Sequence, residues 1–338
     1  MPSEFSFINQ IRQRATTGAN NLILGIGDDA AIWREHEGRE RLISTDLLIE
    51  DVHFKLDYTS LACLGHKALA VSLSDIAAMG GRPEFALLSL GLPKSKLADL
   101  NWQDFFDGYF SLAQKYGVAL IGGDTSASPD KVVIDSVVIG TCASGKAIRR
   151  SGAKMGEAIY VTGRLGASAM GLELLQRGER LPTQSPDKKA EAIRAHLQPE
   201  PRVKFGENLG TLGLATALMD VSDGLAQDLS HICEESGVDA VLEYDVLPIA
   251  PSVRELAGTI DKAFSFAISG GEDYELLFTA NPEAEAALKK CASECALEIT
   301  RIGEIMARQN PQEGPRIFLR RNGRVDLLSI TGYDHFRA

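Results

Sequence analysis

The sequence predicts a mixed α/β (α+β) protein of two domains, and three observations support this. The length of 338 residues corresponds to about two domains at ~150 residues each. Strand-like and helix-like runs alternate, and the alternation restarts after residue 156. The basic, glycine-bearing segment at residues 147–156 is typical of a hinge. We therefore expect an N-terminal domain over residues 1–146 and a C-terminal domain over residues 147–338.

In the first half, β-favouring runs predict strands and residues with helical spacing predict two helices. The helices are expected at residues 61–79 and 102–116, and Gly80-Gly81 followed by Pro83 ends the first of them. The strands are expected at residues 41–45, 84–91, 118–121 and 131–142.

The second half repeats the same kinds of element in a different order. Strands are expected at residues 158–162, 215–219, 240–244, 276–279 and 297–302. Helices are expected at residues 167–177, 187–196, 223–236 and 283–290, and the polar stretch 181–189 reads as an exposed loop. Both halves are therefore predicted to contain helices and strands.

Charge and cysteine usage exclude several classes of partner. The net charge is −11, which opposes sequence-independent binding to nucleic acid or to an anionic membrane. No apolar run approaches the ~18 to 20 residues that span a bilayer, and the N-terminus lacks the pattern of a signal peptide. Five cysteines without a CxxC pair argue against a disulfide framework or zinc ribbon and fit a reducing cytosol. We expect a cytoplasmic protein that binds neither nucleic acid nor membranes.

Seven aspartates stand out by position. Six follow apolar, strand-like runs, where ligands gather in α/β folds, and the seventh interrupts an apolar helix, where a carboxylate is costly unless a cation accompanies it. The six are Asp28, Asp29, Asp46, Asp124, Asp220 and Asp223, and the seventh is Asp75. Any one of them could be a helix cap or an Asx turn, but seven together are harder to explain that way. Carboxylate and hydroxyl oxygens without a Cys/His cluster suit Mg²⁺ or Ca²⁺, and the absence of an EF-hand loop favours magnesium.

One glycine-bearing loop has the spacing of a nucleotide-binding motif. The run GIGDDA at residues 25–30 fits GxGxxG/A, but two carboxylates in that turn would repel a pyrophosphate. The sequence has no GxxxxGK[ST] P-loop, GxSxG elbow, HExxH or protein-kinase motif set. A bound nucleotide would therefore need metal ions and cations such as Arg150 or Lys154 to hold its phosphates.

A series of motifs runs along almost the whole chain: GIGDDAA (25–31), STDLLIEDVHF (44–54), KALAVSLSDIAAMGG (67–81), LIGGDT (120–125), RSGAKMGEAIYVTGRLG (150–166), MDVSDGLAQDL (219–229), SGGEDYELLFT (269–279) and GYDHF (332–336). In this order they resemble the thiamine-monophosphate kinases, a family within the wider aminoimidazole ribonucleotide synthetase group. The resemblance implies a two-domain aminoimidazole ribonucleotide synthetase-like fold, with an N-terminal ATP- and Mg-binding domain that dimerises through its sheet and a C-terminal α/β domain that completes the site. It also implies a homodimer that phosphorylates thiamine monophosphate to thiamine diphosphate with ATP and several Mg²⁺ ions.

The resemblance also implies site residues, each at a matching motif position. The implied metal ligands are Asp29, Ser44, Thr45, Asp46, Asp75, Asp124, Asp220 and Asp223, with Asp28 as the neighbour of a ligand. The implied ATP contacts are Gly123, Asp124, Arg150 and Ser222, and the implied substrate contacts are His53, Glu272 and Tyr333. Ser72, Glu157 and Asp51 depart from the residues usual at their positions, and Asp51 adds charge near His53.

The implied chemistry needs no catalytic side chain. The attacking phosphate oxygen is already anionic, so positioning and charge neutralisation by metal ions would carry catalysis. Two alternatives stay open. One is another ATP-using enzyme of the same superfamily, and the other is a non-catalytic protein that binds divalent cations or nucleotides.

Overall fold

The chain folds into two β-sheets with helices packed against them. The computed structural model describes residues 22–35, 38–181, 187–310, 312–330 and 332–333. Within these residues, strands from the first half form a six-stranded sheet and strands from the second half form a seven-stranded sheet. The predicted mixed α/β class is therefore confirmed.

The six-stranded sheet has the order β1-β2-β3-β6-β4-β5. All neighbours in it are antiparallel except the parallel pair β4 and β5. Its strands and the first three described helices are β1 (Leu22–Leu24), β2 (Ala31–Arg34), β3 (Arg39–Ile49), α1 (Leu61–Ala78), β4 (Arg82–Leu92), α2 (Lys94–Asp99), α3 (Trp102–Tyr116), β5 (Ala119–Ala127) and β6 (Val133–Ala143).

The seven-stranded sheet has the order β13-β12-β9-β11-β7-β10-β8, and only β12 and β9 are parallel. The elements of this half are β7 (Ala158–Thr162), α4 (Ala167–Gln176), α5 (Lys188–Leu197), α6 (Val203–Leu212), β8 (Ala217–Asp220), α7 (Leu225–Ser236), β9 (Val238–Glu243), α8 (Pro251–Leu256), α9 (Ile260–Ser269), β10 (Leu276–Ala280), α10 (Glu285–Glu294), β11 (Ile299–Ala307), β12 (Ile317–Arg321) and β13 (Arg324–Leu327). Short 3₁₀ helices lie at Tyr244–Val246 and Pro282–Ala284.

The predicted elements are confirmed where the apolar pattern is strong. Both first-half helices are present, whereas the strand predicted at residues 118–121 extends as β5 to Ala127. Helices α6 and α9 and strands β12 and β13 are among the elements that the sequence pattern did not predict. In α6 the reason is visible, because Gly206 and Gly210 lower helix propensity but allow close packing.

Helix α1 is the central helix of the first half. Ser60 caps its N-terminus by accepting a hydrogen bond from the backbone N–H of Cys63 at 3.3 Å. By length and composition α1 could cross a membrane, with 18 residues and a mean hydropathy of 1.3, but 78% of it is buried inside the structure. The statement that no apolar run approaches membrane-spanning length was therefore wrong for this helix, which packs as a core helix.

One of the two hydrophobic core clusters spans both halves. A Cβ atom built on Gly206 of α6 would lie 2.2 Å from the carbonyl oxygen of Ala77 in α1, so the two helices touch backbone to backbone. Phe205 and Leu209 of α6 belong to the same buried cluster as Leu73 and Ile76 of α1. The boundary between residues 146 and 147 falls between the two sheets, and its role as a domain boundary stays a prediction.

The end of β2 leaves one edge of β3 open. Strand β2 pairs with Glu40–Ile43 only, whereas β6 pairs with β3 along its whole length. The part of β3 from Ser44 to Ile49 therefore has no strand on its β2 side among the described residues. Backbone and side chains of this open edge are available to line a site.

Candidate active site

Three carboxylates from three distant parts of the chain meet at one point. Asp29 follows β1, Asp75 lies in α1, and Asp220 ends β8. One oxygen from each lies within 4.8 Å of the others. Such a group of oxygen donors is a candidate site for a divalent cation. Asp46 adjoins it from the open edge of β3, so four predicted metal ligands are brought together.

Serine hydroxyls hold the carboxylates of this acidic cluster, which we define as Asp29, Asp46, Asp75 and Asp220. Ser72 Oγ lies 2.7 Å from Asp46 Oδ2 and 2.9 Å from the carbonyl oxygen of Ser136. Ser74 Oγ donates to Asp220 at 2.5 Å, and Ser44 Oγ donates to Asp75. Ser72 and Ser74 come from α1 and Ser44 from β3, so the helix and the strand together set the orientation of the cluster.

The cluster is electrostatically unfavourable without a cation. Burial raises the pKa of Asp75 well above its ordinary value, and the charges of Asp46 and Asp220 raise it further. Burial, with the charge of Asp29, raises the pKa of Asp220 to about 8. Burial likewise raises the pKa of Asp46. Hydroxyl groups orient these carboxylates but bring no positive charge, so the donor set fits a hard cation such as Mg²⁺.

Arg150 from the predicted hinge supplies positive charge at the rim of the cluster. Its guanidinium donates two hydrogen bonds to Asp29, from Nη2 to Oδ1 at 2.5 Å and from Nε to Oδ2 at 3.4 Å. Its backbone N–H donates to Asp28 at 3.2 Å. Burial, reinforced by the charge of Asp29, raises the pKa of Asp28 to about 7. Because the loop that carries both aspartates joins β1 to β2 rather than a strand to a helix, it is not a dinucleotide-binding turn.

The loop after β8 places Ser222 and Asp223 beside the cluster. The backbone N–H groups of Asp223 and Gly224 donate to the buried carboxylate of Asp228 at 3.2 and 3.1 Å. Tyr333 is joined to the same loop, because its backbone N–H donates to the carbonyl oxygen of Asp223 at 3.2 Å. The residue predicted near the C-terminus therefore lies at the site.

A cavity of about 890 Å³ runs along the open edge of β3. A volume of this size is typical of a small-molecule site. All three predicted substrate contacts, His53, Glu272 and Tyr333, line it. So do Asp46 and Asp223, which places the cavity next to predicted metal ligands.

The carboxylate of Glu272 is paired with two buried side chains. Lys67 of α1 lies 2.7 Å from Oε1 and His196 of α5 lies 3.1 Å from Oε2. Burial acts to raise the pKa of Glu272, but Lys67 and His196 outweigh it, so the pKa lies well below its ordinary value. Glu272 is therefore an ionised carboxylate whose charge is balanced within the protein, unlike those of the acidic cluster.

His53 and Asp51 lie in the turn after β3. His53 Nδ1 accepts a hydrogen bond from the backbone N–H of Ile49 at 3.0 Å, which leaves Nε2 to carry the proton of the neutral ring. Asp51, which adds a negative charge near His53, forms an ion pair with Lys131. The side chain of Lys131 therefore balances that charge.

Thr45, Gly123 and Asp124 are not brought to the acidic cluster within one chain. Asp46 pairs with Ser136, which pairs with Leu88, which pairs with Gly123. Three strand spacings of ~4.8 Å separate Gly123 from Asp46 by roughly 14 Å. Thr45 neighbours Asp46 on β3 and so faces the other side of the sheet, where its Oγ1 donates to Asp135 at 2.6 Å. Asp124 pairs with Ser89, the partner of Asp135, so it belongs to the same outer face.

The structure places at the site several residues that were not predicted from the sequence. Lys67 is a lysine in an otherwise apolar helix, the same signal that drew attention to Asp75. Tyr274 adjoins Glu272 in the motif but has no spacing that marks it. The residues missed as site residues are Lys67, Ser74, His196, Asp228 and Tyr274.

The side chain of Asp273, next to Glu272, binds the N-terminus of α4. Its carboxylate accepts hydrogen bonds from the backbone N–H groups of Gly166 at 2.6 Å and Ser168 at 3.2 Å. Burial raises the pKa of Asp273 to about 7. This side chain supports the segment that carries Glu272 and does not line the cavity.

The fold and site define a class of protein. The first half matches the family described as AIR synthase related protein, N-terminal domain, over residues 27–142, and the second half matches the corresponding C-terminal domain over residues 154–313. The chain is 39% identical to thiamine-monophosphate kinase of Bacillus subtilis over 334 residues, which are 99% of each chain. The enzyme of the same name from Escherichia coli is 38% identical over 98% of each chain. The chain belongs to the thiamine-monophosphate kinase family.

Solved structures agree with this membership. A thiamine-monophosphate kinase from Stenotrophomonas maltophilia has a TM-score of 0.76 at 39% identity, covering 93% of this chain and 96% of that chain. A structure described as AaThiL complexed with AMPPCP and TMP has a TM-score of 0.81 at 31% identity, covering 99% and 97%. Hydrogenase maturation protein HypE in complex with ATP, at 20% identity and a TM-score of 0.67, shares the fold.

We expect Lys67→Met to destabilise the protein by about 3–5 kcal/mol, because it leaves the buried carboxylate of Glu272 without its cation. Urea denaturation measures the loss. The double variant Lys67→Met/Glu272→Gln is expected to recover most of it, since no unpaired charge remains. Lys204→Met, at an exposed lysine 3.7 Å from Glu207, is the control and is expected to change the free energy of unfolding by less than about 1 kcal/mol. A loss from Lys67→Met no larger than that of the control would contradict the buried pairing.

The second prediction concerns pH. The pKa of Asp273 is about 7 in the folded protein and ~3.9 in an unfolded chain, so its contribution to stability is full below the unfolded value and is lost as the pH rises towards 7. Asp273→Asn does not titrate. The free energy of unfolding of the wild type minus that of Asp273→Asn should therefore fall between pH 5 and pH 7 and level off by about pH 8. Urea titrations of both proteins at each pH give the difference, and a constant or rising difference would refute the prediction.

Proposed function

We propose that this chain transfers the γ-phosphoryl group of ATP to thiamine monophosphate, yielding thiamine diphosphate and ADP. The observation that carries the proposal is the cavity beside the acidic cluster, which joins a pocket of small-molecule size to a set of metal-ligand carboxylates. Family membership supports the choice of reaction, because the matched relatives are named thiamine-monophosphate kinases and one solved relative is a complex with AMPPCP and TMP.

The acidic cluster would hold magnesium. Asp29, Asp75 and Asp220 are the first candidates by geometry, with Asp46, Ser44 and Asp223 adjoining them. Bound Mg²⁺ ions would neutralise phosphate charge and align the two phosphates for in-line displacement. The serines of α1 and β3 keep the carboxylates oriented while the site is loaded.

The chain's own groups would bind and orient the two substrates. In the proposed pose thiamine monophosphate lies in the cavity against His53, Glu272 and Tyr333. Arg150 and Ser222 would face the phosphates of ATP from the other side of the cluster. An oxygen of the monophosphate forms the new bond to the γ-phosphorus as the bond to the bridging oxygen of ADP breaks. That oxygen is already anionic, so no side chain needs to remove a proton from it.

The five cysteines give no reason to prefer another chemistry. All are free thiols, and four of them are buried, which suits the cytoplasmic location that we propose. None of them lines the cavity. A thiol nucleophile is therefore not part of the proposed reaction.

We also propose that the protein is a homodimer that joins through the outer face of the six-stranded sheet. Apolar side chains on this face, such as Leu87 and Val137, remain half-buried, and Leu47 is 52% exposed. The edge strand β5 presents exposed residues along most of its length. Exposed edges and apolar faces are unfavourable in a monomer. A second copy on this face would enclose Thr45, Asp124 and Asp135, which a single chain leaves outside the acidic cluster.

A turnover assay tests the function. Purified protein with ATP, Mg²⁺ and thiamine monophosphate is expected to form thiamine diphosphate and ADP, and omission of Mg²⁺ is expected to abolish the product. Asp46→Asn should lower kcat by at least 100-fold because it removes a proposed ligand charge, at roughly 3 kcal/mol of transition-state stabilisation. Asp99→Asn, at an exposed aspartate of α2, is the matched control and should retain activity.

The assay also separates the alternatives. A non-catalytic cation-binding or nucleotide-binding protein would give no product above a no-enzyme control. Another ATP-using enzyme of the superfamily would turn over a different acceptor in a panel of phosphate and ribonucleotide acceptors. Either result would reject the proposed function.

Sedimentation equilibrium tests the dimer. The wild-type protein is expected at twice its chain mass of 36.5 kDa, and Val137→Glu is expected at the chain mass, because a charge in the centre of the outer face would be buried unpaired. Leu97→Glu places the same charge at a 54% exposed leucine of α2 and should leave the dimer intact. A monomeric wild type, or a dimer that Val137→Glu does not affect, would contradict this interface.

A further inference from the structure

The segment between α9 and β10 contributes Tyr274 to the cavity wall in addition to Gly271 and Glu272. The backbone N–H of Glu272 donates to the carbonyl oxygen of Ser222 at 2.7 Å, and that of Tyr274 donates to the carbonyl oxygen of Val221 at 2.9 Å. The segment is therefore joined along its length to the loop that follows β8. Tyr274 lines the cavity together with Glu272, Ser222 and Asp223.

The backbone of this segment is strained at Glu272 and Tyr274, whose side chains line the cavity. Glu272 has φ +64° and Tyr274 has φ +50°, both in the left-handed region that residues with side chains rarely adopt. Strain of this kind persists where surrounding structure fixes it, and it concentrates at functional sites. Residues two apart share a face in an extended strand. Glu272 and Tyr274 are also two apart and line the same cavity, but the backbone here is not a strand and turns through left-handed conformations.

The hydroxyl group of Tyr274 is a hydrogen-bond donor in the wall of the cavity. The side chain is buried, with 8% of the residue exposed. Burial raises the pKa of Tyr274 well above its ordinary value, and the charges of Glu272, Asp46 and Asp220 add to this effect. The group is thus a protonated phenol in strongly anionic surroundings.

The surroundings indicate which acceptor this donor would meet. The carboxylate of Glu272 is already paired with Lys67 and His196, and those of Asp46 and Asp220 accept from serines. An incoming group with anionic oxygens, placed between Glu272 and the acidic cluster, would be within the reach of the phenol. Such a group is the phosphate of a ligand that occupies the cavity.

We propose that Tyr274 binds the phosphate of the monophosphate substrate, with Oη donating a hydrogen bond to a non-bridging oxygen. This inference rests on the proposed function for the identity of the substrate. Tyr274 would orient the attacking phosphate beside the acidic cluster, while Glu272 and His53 contact the remainder of the molecule. It would be a binding residue for the acceptor and not for ATP.

Tyr274→Phe tests the inference, because it removes one oxygen and keeps the ring. We expect kcat/KM for thiamine monophosphate to fall by about 10- to 100-fold, the range for a hydrogen bond to a charged group, while KM for ATP stays within about twofold. By calorimetry, the affinity for thiamine monophosphate should fall and the affinity for thiamine, which lacks the phosphate, should not change. Tyr160→Phe is the matched control, since Tyr160 is 1% exposed, has an unpartnered hydroxyl and packs on Phe278 away from the cavity.

Each other outcome overturns the inference. Turnover and affinity within about twofold of the wild type would show that the hydroxyl contacts nothing of importance. An equal loss for thiamine and thiamine monophosphate would show that the contact is not to the phosphate, and a larger rise in KM for ATP would assign it to the nucleotide. A loss of activity that follows a melting temperature lowered by more than about 5 °C would show a structural role. Wild-type protein that does not turn over thiamine monophosphate would reject the proposed function, whereas wild-type turnover with an unaffected Tyr274→Phe rejects only this inference.

Discussion

Mutual repulsion among buried carboxylates is the constraint around which the site is built. Asp29, Asp75 and Asp220 place oxygens within 4.8 Å of one another, and burial deprives them of the water that would screen their charges. Serine hydroxyls fix their directions but leave the charge in place. These carboxylates are stable in their ionised forms only when a cation is bound. A bound cation is also what phosphoryl transfer needs to neutralise the charge of the phosphates.

The fold supports that requirement through α1 and β3. Helix α1 is buried over most of its length and carries Ser72, Ser74 and Asp75 on the side that meets β3 and β8. Strand β2 begins at Ala31, opposite Ile43, and so leaves β3 open from Ser44 onward. This part of β3 lines the cavity. Packing of α6 on α1 at Gly206 then carries the second sheet, and with it Asp220, to the cluster. A continuous core between the two halves is therefore part of the site's geometry.

The site contains two kinds of carboxylate. Burial raises the pKa values of Asp46, Asp75 and Asp220 in the acidic cluster, which has too few cations to balance its charge. Glu272 has a lowered pKa because Lys67 and His196 stabilise its charged form. The first kind is suited to bind metal. Glu272, the second kind, is fixed in position in the cavity wall by its partners. Because Lys67 balances its charge, it does not repel a phosphate ester nearby.

The sequence alone determined the features that depend on neighbouring residues in the chain. Apolar periodicity predicted α1 and α3, because the pattern that buries one face of a helix is local. The aspartates after strand-like runs predicted oxygen ligands for a hard cation, and Asp75 inside an apolar helix showed that a charge must be compensated there. Only the tertiary structure decided which of these residues meet. The resemblance grouped Thr45 and Asp124 with Asp46, yet strand alternation and the order β3-β6-β4-β5 place them on the opposite face of the six-stranded sheet. The partners of Glu272 come from helices far away in the chain, and the direction of Tyr274 depends on positive φ angles that only its packing against the β8 loop enforces. Pairing between distant elements and strained backbone are fixed by the whole fold, so no local pattern contains them.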